Sequence, residues 1–267
     1  MSWQDYFAGK HVWITGAGGG LGSAMTTALA EYGAEIVASD IREDLVSDLA
    51  ERFSTVHPLA LDISNSDLID EAATRVWDLL GSVDILINNA GISQRSLFAE
   101  TDRAVLRRII EINLIGTMEV TRAVVPRMLA GGGGHILTIT SMAARVQTPL
   151  RSMYAAAKSG LHGMFDCLRG ELRAQGIRVT LAVPGTVQTG ISKNAMTASG
   201  AAYGHTDRNQ AAGMAPDECA RKILKGAAAR RREFTVAMPL KFRFAQFLRR
   251  YAPNLFFRMI ANAKVSG

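Results

Sequence analysis

The chain has 267 residues, 48% of them apolar and 20% charged, which supplies one large packed core and calls for no second domain. Its formal net charge of +6 hides an asymmetry: residues 1–220 carry 18 Lys and Arg against 23 Asp and Glu, while residues 221–267 carry 12 against Glu233 alone. Two cysteines, Cys167 and Cys219, without CxxC spacing, and five histidines without ligand spacing exclude a disulfide framework and a metal knuckle, so no metal and a reducing, cytoplasmic setting are expected.

The opening "MSWQDYFAGKHVWITG" passes quickly into a strand-like run, unlike a secretory leader, and no stretch reaches the roughly 18 apolar residues of a membrane span. Short runs rich in β-branched residues follow at 11–15, 34–39, 56–61, 83–88, 134–140, 177–183 and 233–238. Between them, apolar residues three and four apart predict helices over 21–32, 43–53, 66–80, 101–130, 152–175 and 216–230. This alternation predicts an α/β fold, a doubly wound parallel sheet with helices on both faces. Ligands of such sheets gather at the carboxyl ends of the strands.

The first strand end carries "TGAGGGLG", Thr15 to Gly22. Glycines there let the backbone approach a pyrophosphate, which the next helix meets with its N–H groups. Standing alone, such a turn is also compatible with a plain flexible loop. Asp40 follows the second run, where a carboxylate accepts hydrogen bonds from adenosine ribose hydroxyls and repels a 2′-phosphate, which favours NAD over NADP. Arg42 pulls the other way, because a guanidinium pairs with a 2′-phosphate; Asp40 also has a bland reading as a helix-capping acid. Asp62, "NNAG" (88–91) and Ser141 mark the third, fourth and fifth strand ends. In "SMYAAAKSGL", Tyr154 and Lys158 stand four apart, about 6 Å along one helical face. A lone pair of this kind is ordinarily a surface feature.

Taken together, "TGAGGGLG", "LDI", "NNAG", Asn113 in "INLIGT", Ser141, "YAAAK" and "PGTVQT" (184–189) resemble the short-chain dehydrogenases/reductases over roughly residues 10–190. Within that family, "YAPNLFF" and "SKNAMTASGAAYG" look most like the group near 11-beta-hydroxysteroid dehydrogenase. The resemblance implies a Rossmann fold and a reversible transfer of hydride between a nicotinamide cofactor and a secondary alcohol or ketone. It makes Tyr154 the acid/base, its phenol pKa lowered by Lys158, which also holds the nicotinamide ribose. Ser141 would hold the substrate oxygen, and Asn113 would steady the middle helix and a proton-relaying water. Gly16, Gly20 and Leu21 would line the pyrophosphate, Asp62 and Ile63 the adenine, and Asn89, Ala90 and Gly91 the length of the cofactor. Val187 and Thr189 would orient the carboxamide. Helices 101–130 and 152–175 would pair across a two-fold in a homodimer or homotetramer.

Two rival functions stay open: an NADPH-dependent carbonyl or 3-oxoacyl reductase, against which Asp40 stands, and a cofactor-binding scaffold without turnover, against which Ser141, Tyr154 and Lys158 stand. Residues 190–215, small and polar, read as a mobile lid, with Met142, Arg145, Leu150 and Met153 as candidate walls of a pocket for a hydrophobic substrate. The dinucleotide-binding domain with this lid is expected over 1–238, followed by a basic amphipathic extension over 239–267. In the extension, Leu240, Phe244, Phe247, Leu248 and Tyr251 recur at helical spacing beside Arg243, Arg249 and Arg250, and Pro253 breaks the run. It reads either as a helix packed on the body or a second subunit, or as a peripheral contact with anionic lipid. No nucleic-acid module is legible.

Overall fold

In a computed structural model, residues 2–261 are described. Strands β1 (His11–Thr15), β2 (Glu35–Asp40), β3 (Val56–Ala60), β4 (Ile85–Asn88), β5 (Gly134–Ile139), β6 (Ile177–Pro184) and β7 (Glu233–Val236) form one sheet in the order β3-β2-β1-β4-β5-β6-β7. Every pairing is parallel, so every connection must cross over, and each does so through a helix expected from the periodicity. The link from β2 to β3 carries α2 (Glu43–Arg52), and that from β6 to β7 carries α7 (Arg208–Ala211) and α8 (Pro216–Ala228). Seven strand runs are therefore observed as the doubly wound sheet expected, with ends shifted by one or two residues; Asp40 lies inside β2 rather than beyond it.

The period of two along each strand divides the core. Val12 and Ile14 of β1 pack on one side with Met25 and Leu29 of α1 (Gly20–Glu31), Val46 of α2 and Ile223 of α8. Trp13, between them, points to the other side, where Ile69 and Val76 of α3 (Ser66–Leu80), Val120 of α5 (Thr117–Ala130) and Phe165 of α6 (Ser152–Leu172) close over it. Trp13 is fully buried, and its indole N–H donates to Ser39 Oγ at 3.0 Å, so its one polar group is satisfied. Pro58, which has no N–H to give a ladder, sits on β3 at the sheet edge.

The single helix expected over 101–130 is divided. It runs as α4 (Arg103–Ile110), a π-helical stretch Glu111–Gly116, and α5. A Cβ on Gly116 would lie 2.4 Å from the Ile63 carbonyl oxygen, so the widened turn and the glycine together let this helix press against the end of β3. The same turn carries Asn113 into the interior.

Beyond β7, α9 (Leu240–Tyr251) and α10 (Pro253–Ala261) fold against each other, divided where Pro253 was expected to break the run. Leu248 and Phe256 are buried with Val146, so the extension packs on the body through a small apolar cluster of its own. Residues 262–267 of the extension lie outside the described residues.

Candidate active site

The order of the sheet reverses between β1 and β4, and a crevice opens there at the strand carboxyl ends. The cavity in it has a volume of about 410 Å³. Its walls gather residues far apart in the chain: Gly16, Gly20 and Leu21, then Asp40, Asp62, Ile63, Asn89, Ala90 and Gly91, and finally Ser141, Tyr154, Lys158, Val187 and Thr189.

At one end the wall is mostly backbone. Gly16 has φ +65°, and a Cβ on it would meet the Ala90 Cα at 2.6 Å. Asn89 Nδ2 donates to the Gly16 carbonyl at 2.8 Å and the Thr15 carbonyl at 3.2 Å, so the fourth strand end holds the turn of the first in place. A Cβ on Gly22 would lie 1.9 Å from that same Gly16 carbonyl. The turn is thus a cradle in which a side chain at Gly16 or Gly22 would displace backbone, open to a ligand at the amino end of α1.

Asp40 faces the cradle, with Oδ2 accepting from Gly18 N at 3.0 Å and Oδ1 from Arg42 N at 3.0 Å. The Arg42 guanidinium lies 3.2 Å from Asp44 Oδ2, in an exposed pair. Asp62 accepts from Ser64 and from Arg108 Nη2 at 3.1 Å; burial raises its carboxyl pKa, but Ser64 and the Arg108 cation outweigh that and hold it below the usual range. Arg108 also lines the cavity, and the sequence reading missed it. Three arginines, Arg103, Arg107 and Arg108, stand on α4 in "RAVLRRII", and only the packing of α4 against the Asp62 turn selects this one.

At the other end the wall is side chains. Ser141 caps a short turn, its Oγ accepting from Ala143 N at 3.1 Å, and its hydroxyl lies beside the Tyr154 phenol. Lys158 is 4% exposed and donates from Nζ to the Ile139 carbonyl at 3.1 Å. Burial brings its pKa down to about 8, which still leaves a cation at neutral pH. The Tyr154 phenol departs from expectation. Burial pushes its pKa above the ordinary range, opposed by the Ser141 hydroxyl and the Arg151 charge, with no offset from Lys158. The i, i+4 spacing puts both groups on one face, yet the ammonium is held by the β5 carbonyl.

Asn113 does not line the cavity but stands one layer behind it. Its Nδ2 donates to the Ile92 and Ile109 carbonyls at 3.0 and 2.9 Å, and its Oδ1 accepts from Ile92 N at 3.2 Å. A Cβ on Gly91 would meet Asn113 Oδ1 at 2.6 Å and Lys158 Nζ at 3.4 Å, so the three are packed round that glycine.

The candidate substrate walls fare differently from the cofactor set. Arg145 is turned from the cavity into an ion pair with Glu233, and His162 Nδ1 sits 3.6 Å from the same carboxylate. Leu150, at φ +67°, uses its carbonyl to accept from Ser96 N at 3.2 Å and is also off the cavity wall. Neither Met142 nor Met153 lines it; Met153 packs beside Tyr154 with Ile92 and Met196. The walls that do close this end include Ile92, Asn194 and Gln210, which no local pattern marks.

The segment 190–215, expected as a mobile lid, is stitched down. Met196 N donates to the Ser93 carbonyl at 3.0 Å, Arg95 N to Met196 O at 2.9 Å and Asp102 N to Ala198 O at 2.9 Å. Asp207, 8% exposed, pairs with Arg95 from the loop after β4 and, at 3.0 Å, with Arg151 just ahead of α6. Burial lowers the Arg95 pKa to about 10, which leaves the guanidinium charged. One turn on, Gln210 Nε2 donates to Thr189 Oγ1 at 3.1 Å.

A profile described as short chain dehydrogenase matches residues 10–200. Dehydrogenase/reductase SDR family member 7B of Xenopus laevis is 36% identical over 97% of this chain and 83% of that protein. The family protein 7-like of Anopheles gambiae is 37% identical over 93% and 81%. A solved short chain dehydrogenase from Burkholderia cenocepacia, in complex with NADP, superposes with TM-score 0.79 at 26% identity over 96% of this chain and 99% of that one. One from Burkholderia phymatum, in complex with NAD, has the same fold with TM-score 0.84 at 23% identity over 98% and 99%. The chain belongs to the short-chain dehydrogenase/reductase family, NAD(P)-binding oxidoreductases that act on CH–OH groups.

Proposed function

We propose that the protein is an NAD-preferring dehydrogenase/reductase of hydrophobic secondary alcohols and ketones that works through Ser141, Tyr154 and Lys158. The observation that carries this reading is their convergence with the glycine cradle and Asp40 on one cavity. The cradle fits a dinucleotide because a Cβ at Gly16 or Gly22 would strike backbone. Bound there, the cofactor supplies a hydride donor or acceptor. Gly16, Gly20 and Leu21 hold its pyrophosphate, Asp62 and Ile63 its adenine, Asn89, Ala90 and Gly91 its length, and Val187 and Thr189 its carboxamide.

In the reducing direction Tyr154 gives its proton to the carbonyl oxygen while the carbonyl carbon receives hydride; in the oxidising direction it takes the hydroxyl proton back. Ser141 donates a hydrogen bond to that oxygen. Burial keeps the phenol protonated, which suits the reducing step, the Ser141 hydroxyl and the Arg151 charge favour the phenolate that the step leaves behind, and the Lys158 cation holds the nicotinamide ribose. Asn113 holds the Ile92 backbone and with it the floor under Gly91 and Lys158. The partners in this reading are a small alcohol or ketone, a second copy of the chain through the α4–α5 and α6 faces, and, at the basic extension, a lipid surface in a cytoplasmic setting. "YAPNLFF" and "SKNAMTASGAAYG" support a place near the 11-beta-hydroxysteroid dehydrogenase group.

Arg42 and Arg108, both on the cavity wall, favour a second reading with NADPH and a carbonyl or 3-oxoacyl substrate. Catalytic efficiency measured with NAD(H) and NADP(H) across a panel of apolar alcohols and ketones separates them. NAD is expected to be preferred. Asp40→Asn should narrow the gap by about tenfold, because it removes a charge that repels a 2′-phosphate while keeping an acceptor for Gly18 N. A wild-type preference for NADP would give the second reading, and dinucleotide binding without turnover of any member would leave a scaffold.

A further inference from the structure

The face of α9 turned from the body carries a stripe that the fold does not cover. Leu240, Phe244, Phe247 and Tyr251 are spaced by four, three and four, which sets them along one side of the helix. They are 78%, 56%, 57% and 66% exposed. Arg243 and Arg250 border this stripe on one side at helical spacing, and both are exposed. On α10, Leu255 and Met259 are exposed four apart, with Arg258 exposed beside them. Such a concentration of large apolar side chains, rimmed by charge of one sign, marks an interaction site.

From the geometry we infer that the outer face of α9 and α10 is a docking surface for anionic lipid. Charge selects the occupant. No Asp or Glu occurs after Glu233. Two copies of this face brought together would oppose Arg243, Arg250 and Arg258 with their own counterparts and no acid between them. Lipid headgroups supply the missing negative charge, and the acyl boundary accepts Phe, Leu and Tyr. Arg249, by contrast, turns inward, donating from Nη1 to the Arg145 carbonyl at 2.6 Å and to Gln147 Oε1, while Val146 packs with Leu248 and Phe256. The helices are thereby keyed to residues 145–147, a few positions after Ser141. Docking therefore fixes the substrate end of the cavity beside the bilayer, where an apolar alcohol or ketone is concentrated. This last step rests on the dehydrogenase reading; the lipid contact itself does not.

The test uses the full chain and vesicles of phosphatidylcholine alone or mixed with phosphatidylglycerol, with flotation as the readout. The chain is expected to float with the mixed vesicles, less at high salt, and to stay behind with the neutral ones. Phe244→Glu with Phe247→Glu should abolish flotation while turnover and thermal unfolding stay at wild-type values. Arg243→Gln and Arg250→Gln, which keep the apolar stripe, should each weaken binding about fivefold. Equal recovery with both vesicle types, no flotation with either, or unchanged flotation of the variants overturns the proposal. So does a dimer that dissociates in Phe244→Glu with Phe247→Glu while no vesicle is bound, since that would make the face a contact between copies. Flotation and thermal unfolding do not depend on turnover, so a failure to find dehydrogenase activity leaves the lipid result intact.

Discussion

The two ends of the cavity are built on different principles. The end at Gly16, Asp40 and Asn89 is made by backbone atoms and short-range turns, each a few residues from its own strand. Behind the end at Tyr154, side chains meet across the fold: Arg95, Arg151 and Asp207 join the loop after β4, the start of α6 and the 190–215 segment through one buried carboxylate. The first construction has no room for an added atom at Gly16 or Gly22, whereas the second depends on one buried charge. The ends should therefore fail separately when perturbed.

The largest expected effect is at the reacting group itself. Tyr154→Phe removes the hydroxyl without emptying the buried site, so turnover should fall about 10³-fold while dinucleotide affinity, measured by nicotinamide fluorescence, stays within a few-fold. A variant that binds the cofactor poorly would mean that the two ends are not separable.

Next comes the buried carboxylate. Asp207→Asn leaves the Arg95 and Arg151 guanidinia without their counterion, and Arg95 is only 4% exposed at its side chain. Breaking such a pair costs about 3 kcal/mol or more, a cost expected to be met by local release of residues 190–215. Limited proteolysis should then cut this segment about a hundredfold faster, given roughly 1.4 kcal/mol per decade. Binding of the adenosine half of the cofactor should hardly change. Resistance equal to wild type would show that the backbone bonds of Met196 and Ala198 suffice.

The pattern of success in reading the chain follows the same division. "TGAGGGLG", Asp40 and "NNAG" were legible because each motif carries its geometry within a few residues, and the cavity gathers all of them. Ser141, Tyr154 and Lys158 stood out as members of a set of motifs that resembles one family, and the same cavity gathers them. Asp207 is a single acid in a segment of small residues, and nothing near it announces two arginines from more than fifty positions away. Arg145 was placed on the substrate wall because it follows Ser141, but Glu233 at the start of β7, remote in sequence, turns it aside. The π-helical turn at Asn113 was invisible for a related reason: its widened ring answers the pressure of Gly116 on Ile63, a contact that periodicity along one helix does not encode.

Acid offers a milder way to separate the halves. His135 on β5 is buried between Tyr6 and Thr180, and burial lowers its pKa from 6.5 to about 3. Below pH 6.5 the unfolded chain takes up a proton at His135 that the native chain refuses until pH falls to about 3. Stability is therefore lost across that window as pH falls, at up to about 1.4 kcal/mol per pH unit from this residue. His162, lowered to about 4 by burial and by Arg145, acts in the same direction, and it bonds Thr140 on the cavity wall. Urea midpoints between pH 7 and 5 should fall in the wild type and fall less steeply in His135→Gln. Parallel slopes would remove His135 as the cause.

The smallest effect expected on stability is the most informative about the substrate end. Leu150 holds φ +67°, a conformation that costs an L-residue with a branched side chain about 1–2 kcal/mol. Leu150→Gly relieves that cost but adds about 0.5–1 kcal/mol of chain entropy to the unfolded state and gives up some apolar burial. The terms oppose, so the melting temperature should move little. The backbone bond from Ser96 N to the Leu150 carbonyl needs no side chain and should persist. Catalytic efficiency is then the sensitive readout. If it too is unchanged, the strained leucine serves only the turn that leads into α6, consistent with its place off the cavity wall. If efficiency falls for bulky apolar substrates while the melting temperature holds, the leucine meets substrate at a distance from the cavity that the dinucleotide end cannot reach, and the wall at this end extends past the residues that line it.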